Sequence, residues 1–293
     1  MIRLEKNGAI AEIEEMGAEM RAYRTADGKD RLWSGNADVW AGVAPVLFPV
    51  IGCMKNQTVR IAGKEYNIPK HGFAKISRFE VEEQKADECT LVLKDTPETR
   101  EMYPFSFRLA IIHRITENGF STEYQVENRS DSPMPFLIGG HPGFVCPMNK
   151  GELFEEYQVV FDQEEEGNNL LYAPGALMGG AEKVDMGEDK RRIGLKHAIF
   201  DEKDTLVLAG LNSRSVKLLH KDTGKGIRFS FPESTVLAIW SKPNAQAPYV
   251  CLEPWNGIPG MVEETGNFED KPYHITLAPG ETFSSSHSME TID

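Results

Sequence analysis

What most limits the fold of this chain is a series of short segments in which apolar and polar residues alternate, each closed by a turn signal. They are AIAEIEEMG (9–17), TVRIAGKEYNI (58–68), TLVLKD (90–95), FRLAIIHRI (107–115), FSTEYQVEN (120–128), YQVVFD (157–162), TLVLAG (205–210), SVKLLH (215–220), IRFSF (227–231), VLAIWS (236–241), YVCLE (249–253) and HITLAPGETF (274–283). A period of two puts successive side chains on opposite faces of a pleated strand, so at least eleven strands are expected. The separators DG, NG, TGKG, NRSDS and APGE supply the positive or fixed φ that hairpins require. Helical patterns are few. The stretch 37–50, ADVWAGVAPVLFPV, holds two prolines and is expected as a buried loop or broken segment, and TPETREMYP as one turn stopped by its proline. The expected fold class is all-β, a large antiparallel sandwich. No repeat or Ser/Gly linker divides the chain, so one domain over 1–293 is expected.

Composition narrows the function. With 40% hydrophobic residues there is material for a large core. A formal net charge of −13 and no concentration of Lys and Arg argue against nucleic acid and favour a neutral small-molecule ligand. Cys53, Cys89, Cys146 and Cys251 are far apart, form no CxxC pair and sit in or beside apolar stretches, which points to reduced thiols and a cytoplasmic protein. The N-terminus has no apolar core of a signal peptide, and no apolar run reaches the ~18 residues of a membrane span. A monomer or homodimer is expected. The acidic run DQEEEGNN (162–169) reads as a solvated loop, because oxygen-ligand metal loops need acids at fixed alternate positions.

Three polar residues occupy apolar settings. His71 in IPKHGFA and His141 in FLIGGHPGF both adjoin glycine, which lets backbone or ligand approach closely. Glu253 in VCLEPWNGIPG ends an apolar run. Singly, each fits a satisfied core or turn residue as well as a functional one; two such histidines together with the glutamate favour function. His113, His197, His220, His274 and His287 read as surface or structural, the last beside SSSH in a polar terminal edge. No HxH or HExxH spacing aims two imidazoles at one ion, so no metal is expected. No GxSxG elbow supports a serine hydrolase. A paired-carboxylate glycosidase would need a second acid in a setting like that of Glu253. What remains is general acid–base chemistry, with Trp255 offering an apolar face to a sugar ring or packing as a core aromatic.

In this order, GAEMRAY, APVLFPVIG, KHGFA, YPFSF, GGHPGF, IWS and CLEPWNGIPG resemble the aldose 1-epimerase (galactose mutarotase-like) family, in its divergent bacterial branch. The resemblance implies a supersandwich of antiparallel sheets and cofactor-free interconversion of the α and β anomers of an aldose. It implies Glu253 as the general base on the anomeric hydroxyl, His141 as the acid on the ring oxygen, and His71 as an assisting histidine.

Two positions depart from the family pattern. Where an arginine usually follows the FP segment, this chain has Cys53 and Met54, with Lys55 the nearest cation. Where a late segment usually carries a sugar-binding aspartate, Lys196 stands in LKHAIFDEKD, with Asp201 or Asp204 as the substitute. Lys55, Trp255 and Asp201 are therefore the expected substrate-binding residues. The alternatives are a non-catalytic sugar-binding protein of the same fold, and a mutarotase for phosphorylated hexoses, for which Lys55, Arg60 and Lys70 are the available cations.

Overall fold

A computed structural model describes residues 1–292. Two large antiparallel sheets dominate it. The nine-stranded sheet runs in the order Arg192–Gly194, Tyr157–Phe161, Ser215–His220, Gly226–Ser230, Thr282–Ile292, Gly119–Asn128, Phe107–Ile115, Glu88–Lys94 and Glu80–Gln84. The eight-stranded sheet runs Leu177–Lys183, Asn168–Ala173, Thr205–Ala209, Val236–Trp240, Tyr249–Asn256, Ile138–Gly140 and Val46–Leu47, with Gly143–Val145 also paired to Tyr249–Asn256. A three-stranded meander, Ile2–Lys6, Ala9–Ile13 and Met20–Arg24, opens the chain.

The alternation seen in the sequence has its physical cause in the core. Along Gly119–Asn128, burial alternates with near-perfect period two, and Val126 sits opposite Leu109 on one side and Phe283 on the other. Leu218, Ile227, Val250 and Leu252 belong to one continuous cluster of buried apolar side chains that joins both large sheets. The all-β class and antiparallel pairing are as the pattern dictates.

Four local expectations need correction. TVRIAGKEYNI is not one strand but a hairpin, Thr58–Ile61 paired with Lys64–Asn67 across a turn at Gly63, whose φ is +78°. HITLAPGETF is not one strand: Ile275–Leu277 pairs with Met134–Phe136, and the turn at Gly280, whose φ is +79°, starts Thr282–Ile292 in the nine-stranded sheet. That last strand is no polar edge. It lies between Gly226–Ser230 and Gly119–Asn128, and its inward Ser285, His287 and Met289 are buried. A second helix, His197–Lys203, has no strong periodic signal in seven residues. The anticipated turn of helix is Pro97–Met102, started by a reciprocal capping box between Thr96 and Thr99.

Candidate active site

The strand Tyr249–Asn256 is buried along nearly its whole length, because it pairs with strands on both sides near the middle of the eight-stranded sheet. Its period splits it cleanly. Val250 and Leu252 join the main core, whereas Tyr249 and Cys251 form a separate apolar cluster with Trp33 and Ala247, flanked by Trp40 and Trp240. Glu253 and Trp255 follow at the same spacing. The sheet thus turns this set of alternate residues toward a cleft of about 530 Å³ lined by Trp40, Lys70, His71, Lys75, His141, Tyr172, Asp204, Trp240, Lys242, Glu253 and Trp255.

His141 reaches the cleft because it follows Ile138–Gly140, the neighbour of Tyr249–Asn256, where Gly139 faces Trp255. A β-carbon at Gly139 would stand 2.8 Å from the indole Cδ1, so this register needs a residue without a side chain. The His141 ring lies 5.0 Å from Trp40 and 5.6 Å from Trp240, both centroid to centroid. His71 arrives on a loop that turns through positive φ at both His71 and Gly72. At Gly72 a β-carbon would fall 2.0 Å from the Phe48 carbonyl oxygen, so the backbone there is pressed against a neighbouring segment. The Gly52 N–H donates to His71 Nδ1 at 3.1 Å, which assigns the ring proton to Nε2 and makes that nitrogen a donor. The His71 and His141 rings stand 5.8 Å apart at 76°.

At the centre of the site two titratable side chains approach each other. His141 Nε2 is 3.2 Å from Glu253 Oε2, and the Glu253 side chain is only 2% exposed. Burial pushes the Glu253 carboxyl well above the ordinary carboxylate range, against an opposing pull from the Lys70 charge. Burial likewise pushes the His141 imidazole down to about 3, and lowers His71 well below its usual value. Burial thus disfavours the charged form of all three groups. His141 Nδ1, Glu253 Oε2 and Trp255 Nε1 are buried without a satisfied hydrogen-bond partner, though Trp255 is near enough to favour the carboxylate form. Orphaned buried polar atoms cost ~1–3 kcal/mol each unless a ligand satisfies them.

His141, Cys251 and Glu253 present donor atoms within 4.8 Å of one another. Burial drives the Cys251 thiol well above its ordinary range.

Lys55 and Asp201 do not line this cleft. Lys55 Nζ donates to the Val262 carbonyl at 2.7 Å, and Asp201, on the short helix, accepts the Asn244 N–H at 2.7 Å. Asp204, just past that helix, lines the cleft instead. Arg60 pairs with Glu65 at the surface. The sequence reading missed Trp40, Lys75, Tyr172 and Lys242 as cleft residues; Trp240 lay inside the quoted IWS segment without a role. Of the remaining histidines, His113, His220 and His287 are buried, and His113 is held by Thr122 and the Ala18 carbonyl.

The family model for aldose 1-epimerase matches residues 1–290. The chain belongs to the aldose 1-epimerase family. Within this family's relatives, the plasmid-borne protein LacX of Lactococcus lactis subsp. lactis is 29% identical over 299 aligned residues, covering 100% of this chain and 99% of LacX. A galactose mutarotase related enzyme from Lactobacillus acidophilus superposes with a TM-score of 0.92 at 29% identity, covering 100% of this chain and 97% of that one. A galactose mutarotase-like protein from Lactobacillus casei ATCC 334 gives 0.93 at 27% identity with both chains fully covered. The fold is therefore galactose mutarotase-like. No helix among the described residues is long and apolar enough to cross a membrane.

Proposed function

We propose that this chain interconverts the α and β anomers of an aldose, with Glu253 and His141 exchanging protons with the substrate and His71 holding it. The observation that carries this reading is the 3.2 Å approach of His141 Nε2 to Glu253 Oε2 in an aromatic-walled cleft. Moving the one proton from Glu253 to His141 yields a carboxylate and an imidazolium without changing the proton count. The carboxylate then takes the O1 proton while the imidazolium delivers one to O5. The C1–O5 bond breaks and C1=O1 forms. Rotation about C1–C2 and reversal of both transfers closes the ring as the other anomer.

The Lys70 charge favours the ionised form of Glu253, and sugar hydroxyls in the cleft would satisfy its orphaned oxygen. The Nε2–H of His71 is available to a ring or hydroxyl oxygen. Trp40 and Trp240 provide apolar faces for the C–H side of a sugar ring, whereas Trp255, expected to do so, is 1% exposed and packs in the main core. The chemistry consists of proton transfers and needs no cofactor.

Polarimetry on freshly dissolved α-aldoses tests the proposal. Acceleration is expected for at least one aldose, reduced ~10²–10⁴-fold by Glu253→Gln and by His141→Asn. A panel of aldoses showing no acceleration, while calorimetry shows sugar binding, would make this a sugar-binding protein and overturn the enzymatic reading.

A further inference from the structure

Gly140, the residue just before His141, is a glycine for want of space. Its φ is not positive, so the backbone there makes no use of glycine's conformational freedom. Gly139 meets Trp255 and His141 enters the cleft, while Gly140 between them points the other way, into the interior of the sandwich. A β-carbon at Gly140 would stand 2.3 Å from the Tyr124 hydroxyl oxygen, 3.0 Å from His287 Cε1 and 3.2 Å from His287 Nδ1. Those two side chains come from adjacent strands of the opposite, nine-stranded sheet, Gly119–Asn128 and Thr282–Ile292, in which Tyr124 faces Ser285 and Thr122 faces His287. Both are buried, and Tyr124 Oη lies 3.2 Å from His287 Nδ1. Phe229 packs on the His287 ring, 5.3 Å between centroids. Neither Tyr124 nor His287 lines the cleft. A hydroxyl and an imidazole in the apolar space between two sheets carry a desolvation cost that one mutual hydrogen bond offsets only in part, and an all-apolar pair would avoid it.

We propose that Tyr124 and His287 are positioning residues for His141, a polar strut that spans the sandwich and bears on the backbone at Gly140. This rests on the anomerisation reading above and names residues that serve it from outside the cleft. Two other ties hold the same segment: Gly140 pairs with Val46, and the His141 N–H donates to the Pro45 carbonyl at 3.1 Å. Both are backbone hydrogen bonds to the neighbouring strand, so they fix register along the sheet. The strut acts across the sheet, where packing from the facing sheet sets how far the segment stands off. Its hydroxyl meets a residue with no side chain, so the push falls on the main chain one residue from His141. Taking the hydroxyl away lets that segment sink toward the nine-stranded sheet and draws the imidazole from its place 3.2 Å from Glu253. Proton transfer tolerates little of this, since a misplacement of about 1 Å can cost ~10²-fold in rate. Binding of the sugar depends on the rest of the cleft wall and is left largely intact.

The test is steady-state kinetics of the full chain on the aldose it turns over fastest, with urea unfolding of the same samples. Tyr124→Phe should lower kcat about tenfold while KM moves less than about twofold. His287→Leu should do the same, and His287→Asn, which keeps a polar atom near the Nδ1 position, should retain more of kcat than His287→Leu. Gly140→Ala should also lower kcat, and adding Tyr124→Phe to it should restore part of the loss, because the oxygen that the new methyl meets is gone. Tyr157→Phe is the control: it removes another buried hydroxyl, one that accepts the Met148 N–H at 3.0 Å, and should cost stability without changing kcat. Tyr124→Phe that loses stability as Tyr157→Phe does but keeps its kcat would overturn the inference, as would a double variant slower than Gly140→Ala. If Gly140→Ala does not fold, the Tyr124→Phe result decides. If wild type turns over no aldose, the anomerisation reading fails, and the position of His141 is read directly from its imidazole NMR signals, assigned by their loss in His141→Asn. Those signals should move in Tyr124→Phe and stay in Tyr157→Phe; signals unmoved in both would overturn the strut.

Discussion

Glu253→Gln should make the protein more stable as it makes it less active, and the stability gain should grow with pH. The Glu253 side chain is 2% exposed, and burial holds its carboxyl protonated well above the usual 4.5. The unfolded chain releases that proton near 4.5, whereas the folded chain keeps it, on Glu253 or passed 3.2 Å to His141. A group whose folded pKa is raised contributes stability fully below the unfolded value and loses it as pH rises toward the folded one. Between those limits the folded state binds one more proton, so wild-type stability falls by about 1.4 kcal/mol per pH unit from this site. Glutamine is nearly isosteric and cannot ionise, so it removes this slope.

Urea unfolding of both proteins at pH 4.5, 5.5 and 6.5 should therefore show the variant gaining on wild type at each step, by up to about 1.4 kcal/mol per pH unit. Polarimetry on the same samples should show ~10²–10⁴-fold less activity. A stability difference that stays flat or shrinks with rising pH would refute the assignment of a buried, proton-holding carboxyl to Glu253. The constant offset between the two proteins carries the separate effect of placing an amide there, which is why the slope is the deciding quantity.

Gly72→Ala should cost about 2–4 kcal/mol in urea unfolding, because the new methyl meets the Phe48 carbonyl at 2.0 Å and the backbone φ is +70°; it should also raise KM by displacing His71. Trp40→Ala should raise KM about five- to tenfold with a smaller change in kcat, as expected of a wall that stacks on a sugar ring and packs against His141. Acid sensitivity should come partly from His113. Burial lowers its pKa to about 4, so its contribution to stability is present above 6.5 and is lost as pH falls toward 4. His113→Gln should flatten that limb of the stability curve by about 1.4 kcal/mol per pH unit in denaturant titrations.

The sequence by itself determined the all-β class and most strands, because a sheet with one face in a core enforces a period of two that is written directly in residue order. It also singled out His71, His141 and Glu253, since a titratable residue at the end of an apolar run, beside glycine in the case of the two histidines, contrasts with its neighbours over a few positions. Tertiary structure decided what surrounds them. Lys55 and Asp201 were sensible by proximity in sequence, but side-chain direction and local partners take both out of the cleft. Lys75, Lys242, Tyr172 and Trp40 carry no local signal, because a lysine before a turn or an aromatic in a loop looks the same whether it faces solvent or a substrate. Likewise SSSH and His287 looked like a polar edge until long-range pairing placed Thr282–Ile292 inside the nine-stranded sheet. Period is a property of neighbours in the chain; the meeting of Glu253 with His141, and of three lysines around them, depends on strands paired across long sequence separations.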